Sequence, residues 1–233
     1  VDLFEQQWAT YRRLVEQNLM EHREISDATT SAIYHWLSKR GRKAPPVDMV
    51  DLGCGDLGQL APLLRTLPLR QYLGLDLTKA VLTLAQDNLG SVPYHCLWEQ
   101  RDLLHWACSG QNNCVDLIHT SFALHHLDQT KKLRFLWGAR ERIRSNGLFI
   151  WVDVFLPDGE SRLDYLDRYC NRVKGWPDLS ERQRDSIMEH IRTHDWPAER
   201  SWLKQQAKNH GWSLNWAWSG QHQAEAVALL QPV

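Results

Sequence analysis

Apolar positions recur at two different spacings along the 233-residue chain, and the change between them marks its organisation. Near the N-terminus Phe4, Trp8, Tyr11, Leu14, Val15 and Leu19 recur mostly three or four residues apart. That is the stripe of an amphipathic helix. SDATTSAIYHWLSKRG predicts a second helix, with Ser26 and Asp27 as N-cap candidates and Gly41 as its stop, broken by Ala44, Pro45 and Pro46. From residue 47 the rhythm becomes strand, helix, strand. VDMVDLG (47–53), QYLGLDL (71–77), VPYHCLWE (92–99), CVDLIHTSFAL (114–124) and GLFIWVDVF (147–155) read as strands. Helices are predicted over 58–67, over 78–90 with Thr78 as N-cap and Gly90 as stop, and over 128–144. Strands alternating with helices specify parallel βαβ units covered on both faces, hence an α/β fold.

Residues 158–211 interrupt this rhythm with polar, helical, Trp-containing sequence, and the chain closes on two strand-like runs, WSLNWAWS and AEAVALLQP. Trp212, Trp216 and Trp218 fall at alternate positions and are expected on one sheet face. The expected organisation is one domain: an N-terminal helical cap (1–44), a core (45–157), a helical lid (158–211) inserted between the fifth and sixth strands, and closing strands (212–233).

Composition narrows the class. The chain is 43% hydrophobic and 24% charged, which is ordinary globular material. Its net charge of -1 offers no electrostatic footprint for nucleic acid or an anionic membrane, so neither is an expected partner. The basic run LSKRGRK (37–43) reads as a solvated helix end. Five scattered cysteines without a C-x-x-C pair point to a reducing, cytoplasmic setting and away from a disulfide framework or a metal site. No apolar run approaches the roughly 18 residues of a membrane span, and no signal-peptide pattern opens the chain.

DLGCGDLGQL (51–60) contains a literal G-x-G-x-x-G at Gly53, Gly55 and Gly58, the pattern of a loop that cradles a pyrophosphate. Two carboxylates, Asp51 and Asp56, stand in or beside it, and both would repel phosphate. A ligand with positive charge and no phosphate suits the loop better. S-adenosylmethionine, with its sulfonium and ammonium groups, is such a ligand. Asp76, closing the second strand, is placed to accept from ribose hydroxyls of any adenosine ligand. Asp102, after the third strand, could accept from an adenine amino group.

VDLGCGDLG, GLDLT, RDLLHW and VDLIHTSFALHHL, in this order, resemble the successive motifs of class I S-adenosylmethionine-dependent methyltransferases. The resemblance runs over about residues 11–218 and implies a Rossmann-like seven-stranded sheet, six strands parallel and one antiparallel. It implies that Asp51, Gly53, Cys54 and Gly55 border the cofactor, Asp51 at its methionine end. Asp76 and Leu77 would flank the ribose, Asp102 and Leu103 the adenine, and His119 and Thr120 would lie past the fourth strand. The family's loop has glycine where this chain has Leu57, which leaves the part played by Gly58 open. Tyr11, His22 and Arg23 in YRRLVEQNLMEHRE, like YLDRYC and HDWPAE later, resemble a bacterial subgroup of these enzymes, in which they would cover the cofactor or reach the acceptor.

The expected reaction is transfer of a methyl group to a small-molecule oxygen or nitrogen acceptor, leaving S-adenosylhomocysteine. An NAD-type oxidoreductase and an inactive methyltransferase-like binding domain are the alternatives. Such an acceptor sheds a proton, so a nearby base helps. His125 holds a place similar to the base in LHDW of plant O-methyltransferases, but His126 stands where that motif has aspartate. Both are candidates for catalysis. Asp153 is an acid in an apolar strand and needs a partner: a cationic acceptor, a histidine or a structural hydrogen bond. Trp176 and Trp196 could offer aromatic faces to a cationic substrate. His190 and His194 have chelating spacing, but HIRTH lacks the glutamate of H-E-x-x-H, and no metal is expected.

Overall fold

The computed structural model describes residues 3–41 and 43–233, with side chains from residue 10 onward. Phe4 and Trp8 of the predicted stripe, and Arg42 of the basic run, therefore lie outside the described side chains. Two helices open the chain, α1 (Leu3–Glu16) and α2 (His22–Arg40). Then follow β1 (Val47–Leu52), α3 (Ala61–Leu64), β2 (Leu69–Asp76), α4 (Lys79–Leu89), β3 (His95–Gln100), α5 (Leu103–Cys108) and β4 (Val115–Ser121). A 3-10 turn over Leu124–His126 leads into α6 (Gln129–Arg142) and β5 (Ile143–Leu156). The remainder is α7 (Arg162–Lys174), α8 (Glu181–His194), β6 (Ala198–Glu199), α9 (Arg200–Asn209), β7 (Trp212–Ser219) and β8 (Glu225–Pro232).

The sheet runs β3-β2-β1-β4-β5-β8-β7, with β8 antiparallel to both neighbours and the other six strands parallel. The seven-stranded expectation needs one addition: an eighth, two-residue strand, β6, pairs with the end of β5. Chain order reverses between β1 and β4, and the carboxyl ends of that pair form the crevice where open α/β sheets take ligands. β1 is buried at all six positions because helices cover both faces. Val50, Leu52, Phe149 and Trp151 pack toward α5, α6 and α9, while Met49, Ile150 and Val152 pack toward α2, α3 and α4. A third cluster joins α7 and α8 to Leu14 of α1 and to Val154 and Leu156 of β5. Among the described residues no helix is long and apolar enough to cross a membrane.

Several local expectations shift. α2 begins at His22, so Ser26 and Asp27 lie inside it rather than capping it. The helix expected over 58–67 shrinks to four residues. β3 begins at His95, three residues later than expected, and β5 is longer than expected at 14 residues. Thr78 does occupy the N-cap of α4, but its side chain makes no cap hydrogen bond; Asp76 accepts from its amide instead. Arg40 of the basic run is not merely solvated, since it pairs with Asp116 at 3.2 Å. A register shift between Trp216 and Trp218 sends Trp218 to the opposite face from Trp212 and Trp216, because the unpaired residue of a bulge breaks the two-residue alternation.

Candidate functional site

β1 delivers Asp51 to the crevice, and the chain then turns through Gly53 (φ 73°) and Gly55 (φ 56°). A Cβ at Gly53 would come within 2.9 Å of Ala123, so glycine there is needed for packing as well as conformation. Leu57 also takes a left-handed conformation (φ 60°), while Gly58 does not. The position where the family has glycine is thus left-handed in this chain, at a cost of roughly 1–2 kcal/mol. The buried Leu57 side chain, 3% exposed, offsets that cost in the core.

Asp51 is 2% exposed and fully engaged: Oδ1 lies 2.7 Å from His119 Nδ1, and Oδ2 accepts from Tyr72 Oη at 3.0 Å. Thr120 donates its hydroxyl to the Leu52 carbonyl and is wholly buried. Burial, reinforced by Asp51, pushes the Cys54 thiol far above its ordinary pKa, so it stays protonated and unreactive. A cavity of about 250 Å³ opens against Asp51, Gly53, Cys54, Gly55 and His119, with Tyr11 and His22 on its other wall. Asp76 touches this loop rather than the cavity, accepting from the amides of Gly55 (3.2 Å) and Thr78 (2.8 Å). Burial raises its pKa against the opposing pull of those amides. Leu77 is exposed at the end of β2, and Asp102 caps α5 through the His105 amide (2.7 Å), with Leu103 packed on the core beside it. Leu77, Asp102, Leu103 and Thr120 do not border the cavity. Arg23 does not border it either; its guanidinium bonds the Glu16 carbonyl on the exposed side of α2.

His22 carries an unmet demand. It is 4% exposed, and neither ring nitrogen has a hydrogen-bond partner. Buried polar atoms are rarely left so, and these border the cavity. A ligand offering polar atoms there fits the residues present. Burial pushes the imidazole from 6.5 down to about 4. The unfolded chain binds this proton below about pH 6.5, whereas the folded chain resists it to about pH 4. Stability present above pH 6.5 is therefore lost as pH falls toward 4, by about 3 kcal/mol from this residue. His22→Phe should flatten the acid limb of the unfolding free energy by that amount in denaturant titrations at pH 7 and pH 4. Equal acid limbs would rule the assignment out.

A second cavity of about 650 Å³ lies beyond Tyr11, which borders both. Burial pushes the Tyr11 phenol up to about 12, so it remains a donor. The chain leaves β4 through Phe122 in a left-handed conformation (φ 50°), which turns the 3-10 segment and its two histidines toward this cavity. His125 is held at both ends. Asp153 Oδ2 accepts its amide at 3.0 Å and Oδ1 lies 2.5 Å from its Nδ1, while Nε2 lies 3.5 Å from Asp195 Oδ1. Burial alone would lower the His125 pKa, but the charges of Asp153 and Asp195 and the Asp153 hydrogen bond hold it above the ordinary value. Asp153 in turn is held low against the effect of burial, by the charge and hydrogen bond of His125 and the Trp151 indole. Asp195 is raised by burial. His126 is lowered by lost hydration and by its neighbour His125.

Two candidates lie away from both cavities. Asp153 is 1% exposed and borders neither; of the partners open to it, it takes the histidine, His125, together with the Trp151 indole and the Val154 amide. Trp196 also borders neither cavity; its ring carries the Arg162 guanidinium at 4.1 Å. Trp176 does border the second cavity. Asp195, in the HDWPAE stretch, escaped the sequence reading because its partner His125 is remote in the chain. The two are brought together by the Trp196 amide donating to the His125 carbonyl (2.7 Å), and by the buried Lys132 ammonium bonding the carbonyls of Leu127 and Trp196.

Residues 50–149 match a family model described as a methyltransferase domain. No curated protein matches the chain in sequence. Among solved structures, the magnesium protoporphyrin IX methyltransferase of Synechocystis PCC 6803 with bound SAH is similar at a TM-score of 0.64 and 15% identity, over 97% of this chain and 94% of that one. The same enzyme with bound SAM gives 0.57 and 13%, over 92% and 84%. The cyclopropane synthase MmaA2 of Mycobacterium tuberculosis gives 0.55 and 18%, over 80% and 60%. Residues 50–149 are thus a methyltransferase domain, and the chain as a whole shares its fold with these solved methyltransferase structures.

Proposed function

We propose that the chain methylates a small-molecule oxygen or nitrogen acceptor bound in the 650 Å³ cavity. The observation that carries this reading is the position of Tyr11, which borders the cavity at the glycine loop on one side and the cavity of His125 on the other. Gly53, Cys54 and Gly55 would hold the cofactor through backbone atoms, with Asp51 near its methionine end, Asp76 at the ribose and Asp102 at the adenine. When bound, the cofactor supplies an electrophilic methyl group on sulfur, released with the bonding electrons remaining on the sulfur.

The chain's own residues do the rest by positioning and by excluding water. α1 and α2 act as a cap, and α7 and α8 as a lid that walls the acceptor cavity with Ile187 and Ile191 among polar side chains such as Arg182, Gln183 and His190. His125 presents Nε2 to the acceptor and, as a free imidazole, takes the proton that the acceptor loses. Asp153 keeps the other ring proton on Nδ1, so that Nε2 is the basic nitrogen.

Calorimetry tests the cofactor half. S-adenosylhomocysteine should bind the wild type, and Asp76→Ala should weaken it about 10–100-fold, the worth of a charged hydrogen-bond acceptor. Absence of binding to wild type, or NAD binding of comparable strength, overturns the reading.

A further inference from the structure

We propose that His125 Nε2, Asp195 Oδ1 and a ring nitrogen of His126 bind one divalent cation of the zinc class at the wall of the acceptor cavity, with a coordination position open toward it. The cation site stands on its own geometry; its part in methyl transfer rests on the function proposed above.

One donor atom from each of these residues lies within 4.8 Å of the other two. The best-defined pair, His125 Nε2 and Asp195 Oδ1, is 3.5 Å apart. Two ligands bonded at about 2.0–2.1 Å in a tetrahedron stand about 3.3 Å apart, so this pair is already at ligand spacing. Asp195 is 4% exposed, and its Oδ1 accepts no hydrogen bond although its Oδ2 accepts from Tyr165 Oη at 3.0 Å. A buried carboxylate oxygen left in this state, aimed at an imidazole nitrogen, is an unfilled acceptor.

The outer contacts are those that orient metal ligands. Asp153 takes the Nδ1 proton of His125, and the His194 carbonyl lies 3.3 Å from His126 Nδ1, so each ring keeps its Nε2 lone pair. The two segments that carry the ligands are pinned together by Lys132 and the Trp196 amide. Two imidazoles and one carboxylate suit zinc and its first-row neighbours, whereas magnesium and calcium prefer oxygen alone. Three protein ligands with a free position form the pattern of a reactive rather than a structural site. Sequence spacing conceals the set, since Asp195 and the two histidines are far apart in the chain.

The cation would lie between His125 Nε2 and Asp195 Oδ1, which no hydrogen bond joins. A coordinated Nε2 cannot serve as a base, so in the loaded enzyme an acceptor hydroxyl entering the open position is acidified by the cation and gives its proton to water.

Chelator-stripped protein titrated with zinc should bind one equivalent, and Asp195→Asn and His126→Ala should each weaken that binding at least about 100-fold. Cobalt loading of the unaltered protein provides a readout that needs no variant: visible d–d bands of a low-symmetry nitrogen and oxygen site are expected. Lack of saturable zinc binding, zinc binding unchanged in both variants, or a cobalt spectrum no different from aqueous cobalt overturns the proposal. S-adenosylhomocysteine binding measured on the same samples separates the two readings. Retained cofactor binding without cation binding removes the metal site alone, and the converse removes the proposed function alone.

Discussion

Replacing His125 by alanine is expected to lower methyl-transfer turnover by about 10²–10⁴-fold, the usual worth of a positioned proton acceptor, while S-adenosylhomocysteine affinity stays as it was. The two effects separate because His125 borders the acceptor cavity and not the cavity at the glycine loop. The histidine's surroundings leave it little freedom: its amide and Nδ1 both engage Asp153, whose oxygens also accept from the Trp151 indole and the Val154 amide. Such a fixed ring points one nitrogen at one place. Asp153→Asn should reproduce part of the loss without touching substrate, since an amide presents the wrong partner to Nδ1. Turnover numbers at saturating cofactor and acceptor, with melting curves to confirm folding, provide the measurement. Unchanged turnover in His125→Ala would remove this residue from the chemistry in either role argued for it.

The largest stability effect is expected at Arg172. Glu225 opens β8 at 0% exposure, and both its oxygens meet the Arg172 guanidinium, at 2.7 and 2.8 Å, while Tyr169 Oη adds a third contact at 2.7 Å. The same guanidinium donates to the Leu19 carbonyl, so one side chain of α7 ties together the sheet edge and the turn after α1. Arg172→Met strips a buried carboxylate of its counter-charge and should cost about 3–5 kcal/mol in chemical denaturation. Arg172→Met combined with Glu225→Gln should recover much of that loss, because a neutral amide costs far less to bury than an unpaired charge. A single variant within about 1 kcal/mol of wild type would show that water reaches Glu225 and that the pair is not truly buried.

Much of the fold was legible in the sequence because it is built from local periodicities. Short runs rich in apolar residues, such as VDMVDL and the apolar half of β5, mark strands covered on both faces, and the helices between them require parallel crossovers. The glycine loop was legible for a different reason: Gly53 and Gly55, with two carboxylates within ten residues, carry both a backbone requirement and a charge preference. Boundaries were less legible where a side chain far away decided them. α2 extends back to His22 past its N-cap candidates, and Trp218 departs from the alternate-residue pattern because one unpaired residue in β7 reverses the face.

The sequence by itself determined the layered α/β architecture and the glycine loop at the switch point. Each of these depends on residues a few positions apart, where spacing and chemistry act through the local backbone. Only the tertiary structure decided what surrounds His125. It placed both carboxylate oxygens of Asp153 against His125 from within the sheet. It also brought Asp195, carried on the segment after α8, to the opposite nitrogen of that ring. Contacts of this kind are set by how separate layers dock, through bonds such as those of Lys132 to two carbonyls, and no local pattern in the chain encodes them.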